Sequence, residues 1–273
     1  MEGGGRESIA ARPDKARRGT MTYDTLVADL TDLAKQAGQE IMKIYATDFS
    51  VEYKDDHSPL TQADRLADRL ITERLLEGYP GMPILSEEGN HVPYPERQSW
   101  PRYFCVDPLD GTREFVARNG EFTVNIALVA RNFPAFGVIY VPAMELLYWG
   151  GKDFGAFKQF REFAPQRIRT AKPAPGKGLR ALVSRSHSAP ELDAFLADYE
   201  ISERIAAGSA WKFCLLAEGK ADIYARTNMT YEWDTAAGQA IVEGAGGSMT
   251  TLDGEPFIYN RQSLINPGFL ARG

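Results

Sequence analysis

The sequence predicts a mixed fold, α+β in its first half and α/β in its second. Three observations carry this reading. Apolar residues recur at helical spacing twice before residue 80. Apolar runs separated by short turn segments form a meander in the middle. Strand and helix patterns alternate after residue 178.

In the first helical stretch, Tyr23 to Tyr45, the periodic positions are Leu26, Val27, Leu30, Leu33, Ala34, Ala37, Ile41 and Ile44. Such spacing gives one apolar face. A second stretch, about Thr61 to Glu77, places Ala63, Leu66, Ala67, Leu70, Ile71 and Leu75 on one side. Pro83 to Ser86 and Tyr103 to Val106 read as short strands. Each delivers acids at its C-terminal end, Glu87-Glu88 after the first and Asp107 after the second. Ligand sites commonly form at such ends. Phe122 to Ala130, Phe136 to Val141 and about Leu146 to Trp149 read as consecutive antiparallel strands.

The Pro- and Gly-rich stretch Ala164 to Gly178 reads as a boundary between a domain of residues 21–163 and one of residues 164–273. Beyond it the pattern gives strand Leu179 to Ser184, helix Ala189 to Asp198 and a helix from about Ser209 to Glu218. Strand Ala221 to Ala225 and helix Asp234 to Ala245 follow. Met1 to about Thr20 has a glycine run, several arginines and almost no apolar residues, and reads as a disordered tail or as an upstream start before Met21. It lacks the apolar core of a signal peptide.

Composition narrows the function classes. The chain has 273 residues, enough for a sizeable core, and a formal net charge of -6. That charge disfavours a surface for nucleic-acid polymers but leaves room for a local basic pocket. No run approaches the roughly 18 apolar residues of a membrane span. Cys105 and Cys214 lie in apolar runs and read as reduced core thiols, which fits a cytoplasmic location. His57, His91 and His187 are too scattered for a histidine-based metal site.

The segment Asp107-Pro108-Leu109-Asp110-Gly111-Thr112 is the most informative. Two carboxylates three residues apart repel each other unless a cation lies between them. Mg²⁺ prefers carboxylate, carbonyl and water oxygens. Backbone N–H groups after the turn suit a phosphate. The same string is also ordinary turn chemistry. Asp234, before Ala236, Ala237 and Gly238, reads either as a helix N-cap or as a metal ligand. Asp64 sits in a first helical turn, where the dipole favours a negative charge, and Thr61 is placed to cap the same helix.

The set Thr61-x-Ala63-Asp64, Glu87-Glu88, Asp107 to Thr112 and Trp233-Asp234-x-Ala-Ala-Gly resembles the inositol monophosphatase-like family of metal-dependent phosphatases, from about Thr22 to the C-terminus. The resemblance implies a layered α-β-α-β-α sandwich. It implies two or three Mg²⁺ ions on Glu87, Asp107, the Leu109 carbonyl, Asp110 and Asp234. Gly111 and Thr112 would hold the scissile phosphate, and Asp64 with Thr112 would activate the attacking water. Haloacid-dehalogenase phosphatases place one residue between their acids; here Pro108 and Leu109 intervene, which argues against an aspartyl nucleophile.

Within the family, Asn119 to Leu128, Ser184-Arg185-Ser186-His187, Gly208 to Asp222 and Glu232-Trp233-Asp234 resemble bacterial-type 3′(2′),5′-bisphosphate nucleotidases. The implied reaction removes the 3′-phosphate of 3′-phosphoadenosine 5′-phosphate to give AMP, with its sulfated analogue as a further substrate. Ser184, His187, Ser209, Lys212 and Asp234 would contact the substrate, with Arg185 beside them. One departure is Ala210, where the family often has a small hydroxyl residue. The Trp211 that follows either packs in the core or reshapes the nucleotide pocket. The partner expected is a phosphorylated small molecule, and the protein is a monomer or homodimer. Alternatives are inositol monophosphatase or fructose-1,6-bisphosphatase activity, and a non-catalytic phosphate or metal sensor.

Overall fold

The computed structural model describes residues 22–53, 59–173, 176–185 and 190–273. The expected tail, His57 and His187 lie outside these residues.

Helix α1 (Tyr23–Tyr45) is capped by Thr22, whose hydroxyl accepts the Thr25 N–H at 3.3 Å. β1 (Val51–Tyr53) and β2 (Pro59–Thr61) pair antiparallel and lead into α2 (Gln62–Gly78). β3 (Ile84–Ser86), the short helix α3 (Tyr94–Arg97) and β4 (Arg102–Asp110) follow. After the one-turn helix α4 (Thr112–Val116) come β5 (Thr123–Ala130), β6 (Phe133–Val141), β7 (Leu146–Gly151), β8 (Gly155–Phe160) and β9 (Gln166–Ile168). β3 to β9 form a seven-stranded sheet in sequence order, with only β3 and β4 parallel.

The remaining elements are β10 (Leu179–Ser184), α5 (Pro190–Leu196), β11 (Ile201–Ala207), α6 (Trp211–Ala217), β12 (Ile223–Arg226), α7 (Glu232–Gly244), β13 (Ser248–Thr251) and β14 (Phe269–Arg272). They build a five-stranded sheet ordered β11-β10-β12-β14-β13, parallel around β10 and antiparallel at β14.

Side-chain alternation along the strands sets the layers. Phe104 and Val106 of β4 face α1 and α2, in a cluster with Leu30, Ile41, Ala67 and Ile71. Tyr103 and Cys105 face the other way, onto Ala236, Ala237 and Ile241 of α7 and Phe213 of α6. These two helices also touch Leu182, Tyr224 and Phe269 of the smaller sheet. On its far side Ala181, Ile223 and Leu270 meet Leu192 and Leu196 of α5. The result is the α-β-α-β-α sandwich the resemblance implied. The central cluster draws residues from both sides of the Ala164 to Gly178 stretch. Both cysteines are buried and free, and among the described residues no helix is long and apolar enough to cross a membrane.

The middle layer is held close by small residues. A Cβ on Gly137 of β6 would lie 2.5 Å from the Ala237 carbonyl oxygen, and one on Gly238 would lie 2.2 Å from the Phe213 ring. Backbone cannot yield as a flexible side chain does. Gly137→Ala is therefore expected to lower unfolding free energy by about 1–3 kcal/mol, the usual scale of overpacking. Urea denaturation checks this; an unchanged midpoint would show that α7 has slack against the sheet.

Candidate active site

The two acids of the central motif face one side because β4 is irregular there. Along β4 and β5, Asp107 pairs with Asn125 and Asp110 with Thr123, so three steps on one strand match two on the other. This is a β-bulge. In a regular strand, residues three apart point to opposite faces. The bulge turns Asp110 to the side of Asp107, while Leu109 joins the cluster under α1 and α2. Pro108, which has no N–H to give to the ladder, is tolerated at such a point. Gly111 follows with φ 85°, left-handed, and opens α4. The strand thus runs to Asp110, past the expected end at Val106.

Glu87 continues the β3 ladder, its N–H donating to the Val106 carbonyl at 3.1 Å, which sets it beside Asp107. Asp234 comes from the other half of the chain. It is not the helix N-cap: α7 begins at Glu232, so Asp234 occupies the third helical position and accepts the Tyr231 N–H at 2.8 Å. Glu87, Asp107, Asp110 and Asp234 line one cleft, as do Leu109, Gly111 and Thr112.

The electrostatics favour a cation there. Burial, then Glu87, Asp110 and Asp234, push the Asp107 carboxyl well above the usual range. Burial, then Asp110 and Glu87, do the same to Asp234. Asp110 is raised by burial, against the pull of Lys212 and the Ala210 N–H. Among the described residues no three acids, histidines or cysteines are gathered tightly enough to hold one ion as they stand. Asp110 is turned onto the Ala210 N–H at 2.5 Å and the Asn125 amide at 3.4 Å. The donor set nevertheless suits hard divalent ions: all-oxygen, buried and mutually repelling.

Asp64 lies behind the cleft, 2% exposed. Its Oδ2 accepts the Thr61 N–H at 2.8 Å and the Thr61 hydroxyl at 2.7 Å, while Thr61 Oγ1 accepts the Ala63 N–H, forming a capping box. Its Oδ1 accepts the Thr112 hydroxyl at 3.1 Å. Burial raises the Asp64 pKa, opposed by the bonds to Thr61 and Thr112. Thr112 therefore stands between Asp64 and the cleft.

Lys212 is not the solvated helix residue its position in the sequence allows. It is buried, and its ammonium donates to the Ala207 and Ser209 carbonyls at 3.1 and 2.7 Å. Those bonds bracket the turn in which Ser209 takes a left-handed φ of 46° and Ala210 offers its N–H to Asp110. Burial and then Arg226 lower the Lys212 pKa to about 8, against Asp110, Glu114 and Glu121. Ser184, Ser209 and Lys212 line the same cleft. Arg185 does not: its guanidinium grips Glu121 at 2.7 and 2.8 Å. Trp211 packs against the core and is not on the cleft wall.

Sequence reasoning missed Arg226. It closes β12 and lines the cleft, with its Nε buried and without a hydrogen-bond partner among the described residues. The strand-end rule that exposed Glu87 would have found it. Glu114, buried beside Lys212, was also missed; no short motif marks it.

Comparison with known proteins gives the family. The model of the inositol monophosphatase family matches residues 23–271. The chain is 40% identical over 253 residues to the 3′(2′),5′-bisphosphate nucleotidase CysQ of Salmonella typhimurium, covering 89% of this chain and 98% of that protein. Against CysQ of Escherichia coli (strain K12) it is 40% identical over 248 residues, with 89% and 98% covered. The crystal structure of CysQ from Bacteroides thetaiotaomicron superposes with a TM-score of 0.81 at 39% identity, over 92% of this chain and 98% of that one. SuhB of Bartonella henselae, at 26% identity, superposes with a TM-score of 0.76 over 91% and 94%. The chain belongs to the inositol monophosphatase family.

Proposed function

We propose that this protein is a Mg²⁺-dependent phosphomonoesterase that removes the 3′-phosphate of 3′-phosphoadenosine 5′-phosphate, giving AMP and phosphate, and that accepts the sulfated analogue. The observation that carries this is one cleft joining four carboxylates, the Gly111-Thr112 turn and the buried Lys212. The nucleotidase activity in the names of relatives about 40% identical supports the substrate.

Glu87, Asp107, Asp110, Asp234 and the Leu109 carbonyl would hold two or three Mg²⁺ ions, whose charge eases deprotonation of water and neutralises phosphoryl oxygens. Gly111, left-handed at the start of α4, and Thr112 would turn their backbone N–H groups to the phosphate. Thr112 takes a proton from the attacking water while passing its own to Asp64, since its hydroxyl already donates there. The phosphate that is not cleaved lies toward Lys212, Ser209 and Ser184. Residues 21–163 would thus supply most ion ligands, and residues 164–273 most substrate contacts.

Phosphate release from a substrate panel at matched Mg²⁺ tests the reading. Turnover of inositol 1-phosphate far faster than of the bisphosphate nucleotide would overturn the substrate assignment. Lys212 carries its charge below about pH 8 and loses it above. KM for the bisphosphate is therefore expected to climb through that pH, with KM for a simple phosphate monoester changing less. Lys212→Ala should raise the bisphosphate KM and flatten the climb; equal effects on both substrates would remove Lys212 from second-phosphate binding.

A further inference from the structure

A buried carboxylate outside the proposed ligand set calls for a reason. Glu232 opens α7 and is fully buried, 0% exposed. Burying a charge is costly unless donors surround it, and an apolar side chain would fill the space at less cost. Glu232 has three such donors. The Tyr103 hydroxyl donates to Oε2 at 3.0 Å, the Asn260 N–H to the same oxygen at 2.9 Å, and the Arg261 N–H to Oε1 at 3.0 Å. Asn260 is itself fixed, its amide exchanging hydrogen bonds of 2.8 and 2.7 Å with the buried Arg97.

The direction of these bonds matters. Tyr103 and Asp107 are four residues apart on β4, before the bulge, and share a face. Glu232 and Asp234 are two apart on α7, about 200° around the helix, and point to opposite sides. The Tyr103–Glu232 bond therefore ties the strand carrying Asp107 to the helix turn carrying Asp234, from the side away from the cleft. The two ligands come from segments more than a hundred residues apart, and their separation depends on how α7 sits on β4.

The geometry points to Glu232 as a positioning residue that gauges the width of the ion site. It touches neither ion nor substrate and acts through Asp234. This rests on the assignment of Asp107 and Asp234 as ion ligands. In Glu232→Gln, the amide keeps one acceptor oxygen and turns an NH₂ toward a backbone N–H, so the anchor is lost while volume is kept. Tyr103→Phe removes only the cross-link to β4.

The test is calorimetric titration of the metal-free protein with Mg²⁺, beside thermal melting and kcat at saturating Mg²⁺. Glu232→Gln is expected to weaken Mg²⁺ binding about tenfold, the scale for groups that orient ligands. Tyr103→Phe should weaken it less, in the same direction, and kcat at saturating Mg²⁺ should stay within about twofold of the parent, since the ligands themselves remain. Unchanged affinity in both variants, with Asp234→Asn strongly weakened, overturns the positioning role alone. Unchanged affinity in Asp234→Asn as well overturns it together with the ligand assignment.

Discussion

Asp110→Asn should abolish phosphate release and leave the fold intact. The loss in kcat is expected to be about a thousandfold or more, because an ion ligand contributes several kcal/mol at the transition state and each 1.4 kcal/mol is tenfold. The metal-free protein should not suffer. Asparagine still accepts the Ala210 N–H that Asp110 accepts now. It also removes one member of a buried group whose charges oppose one another. Melting in a chelating buffer should therefore be unchanged or slightly higher, and the rise in Tm that Mg²⁺ brings to the parent should shrink. Retained Mg²⁺-dependent turnover would remove Asp110 from the ligand set.

The second large effect concerns one proton. Thr112→Ala and Asp64→Asn should each lower kcat by about 10²–10⁴, the range for general acid–base groups. The double variant should be little worse than either, because both residues serve the same transfer. Thr112→Ser, which keeps the hydroxyl, should recover most of the activity. Single-turnover rates of all four variants decide the matter. Losses that multiply in the double variant would mean that the residues act separately, and the hydrogen bond between them would then be structural only.

Much of this molecule was legible because its central elements are buried. The periodicity of α1 and α2 gave both helices to within a residue or two, as their apolar faces seat on a sheet. β10 was read to its ends. The strands left unread are peripheral or short. β9 (Gln-Arg-Ile) and β11 (Ile-Ser-Glu-Arg-Ile-Ala-Ala) are sheet edges, and edges carry charge to discourage pairing with other chains. β14 is a four-residue strand ending at Arg272 and joins β12 across more than forty residues, a pairing no local pattern marks. In the site, the four acids stood out through motif spacing. Arg226, Glu114 and the Glu232 anchor did not, because their meaning depends on long-range partners. Trp211 was ambiguous in sequence and resolves to core packing, since its neighbours on α6 already face the middle layer.

The bulge in β4 also bears on how the chain finds its register. Were β4 to pair with β5 as a regular ladder, Asp110 would turn toward α1 and α2, among Phe104, Val106 and Val124. A lone carboxylate there would meet only hydrocarbon, at a cost of several kcal/mol. Leu109 would be expelled from that layer at the same time. The slipped hairpin thus rejects itself before any ligand is bound. The same parity that gathers the acids for chemistry proofreads the strand pairing during folding.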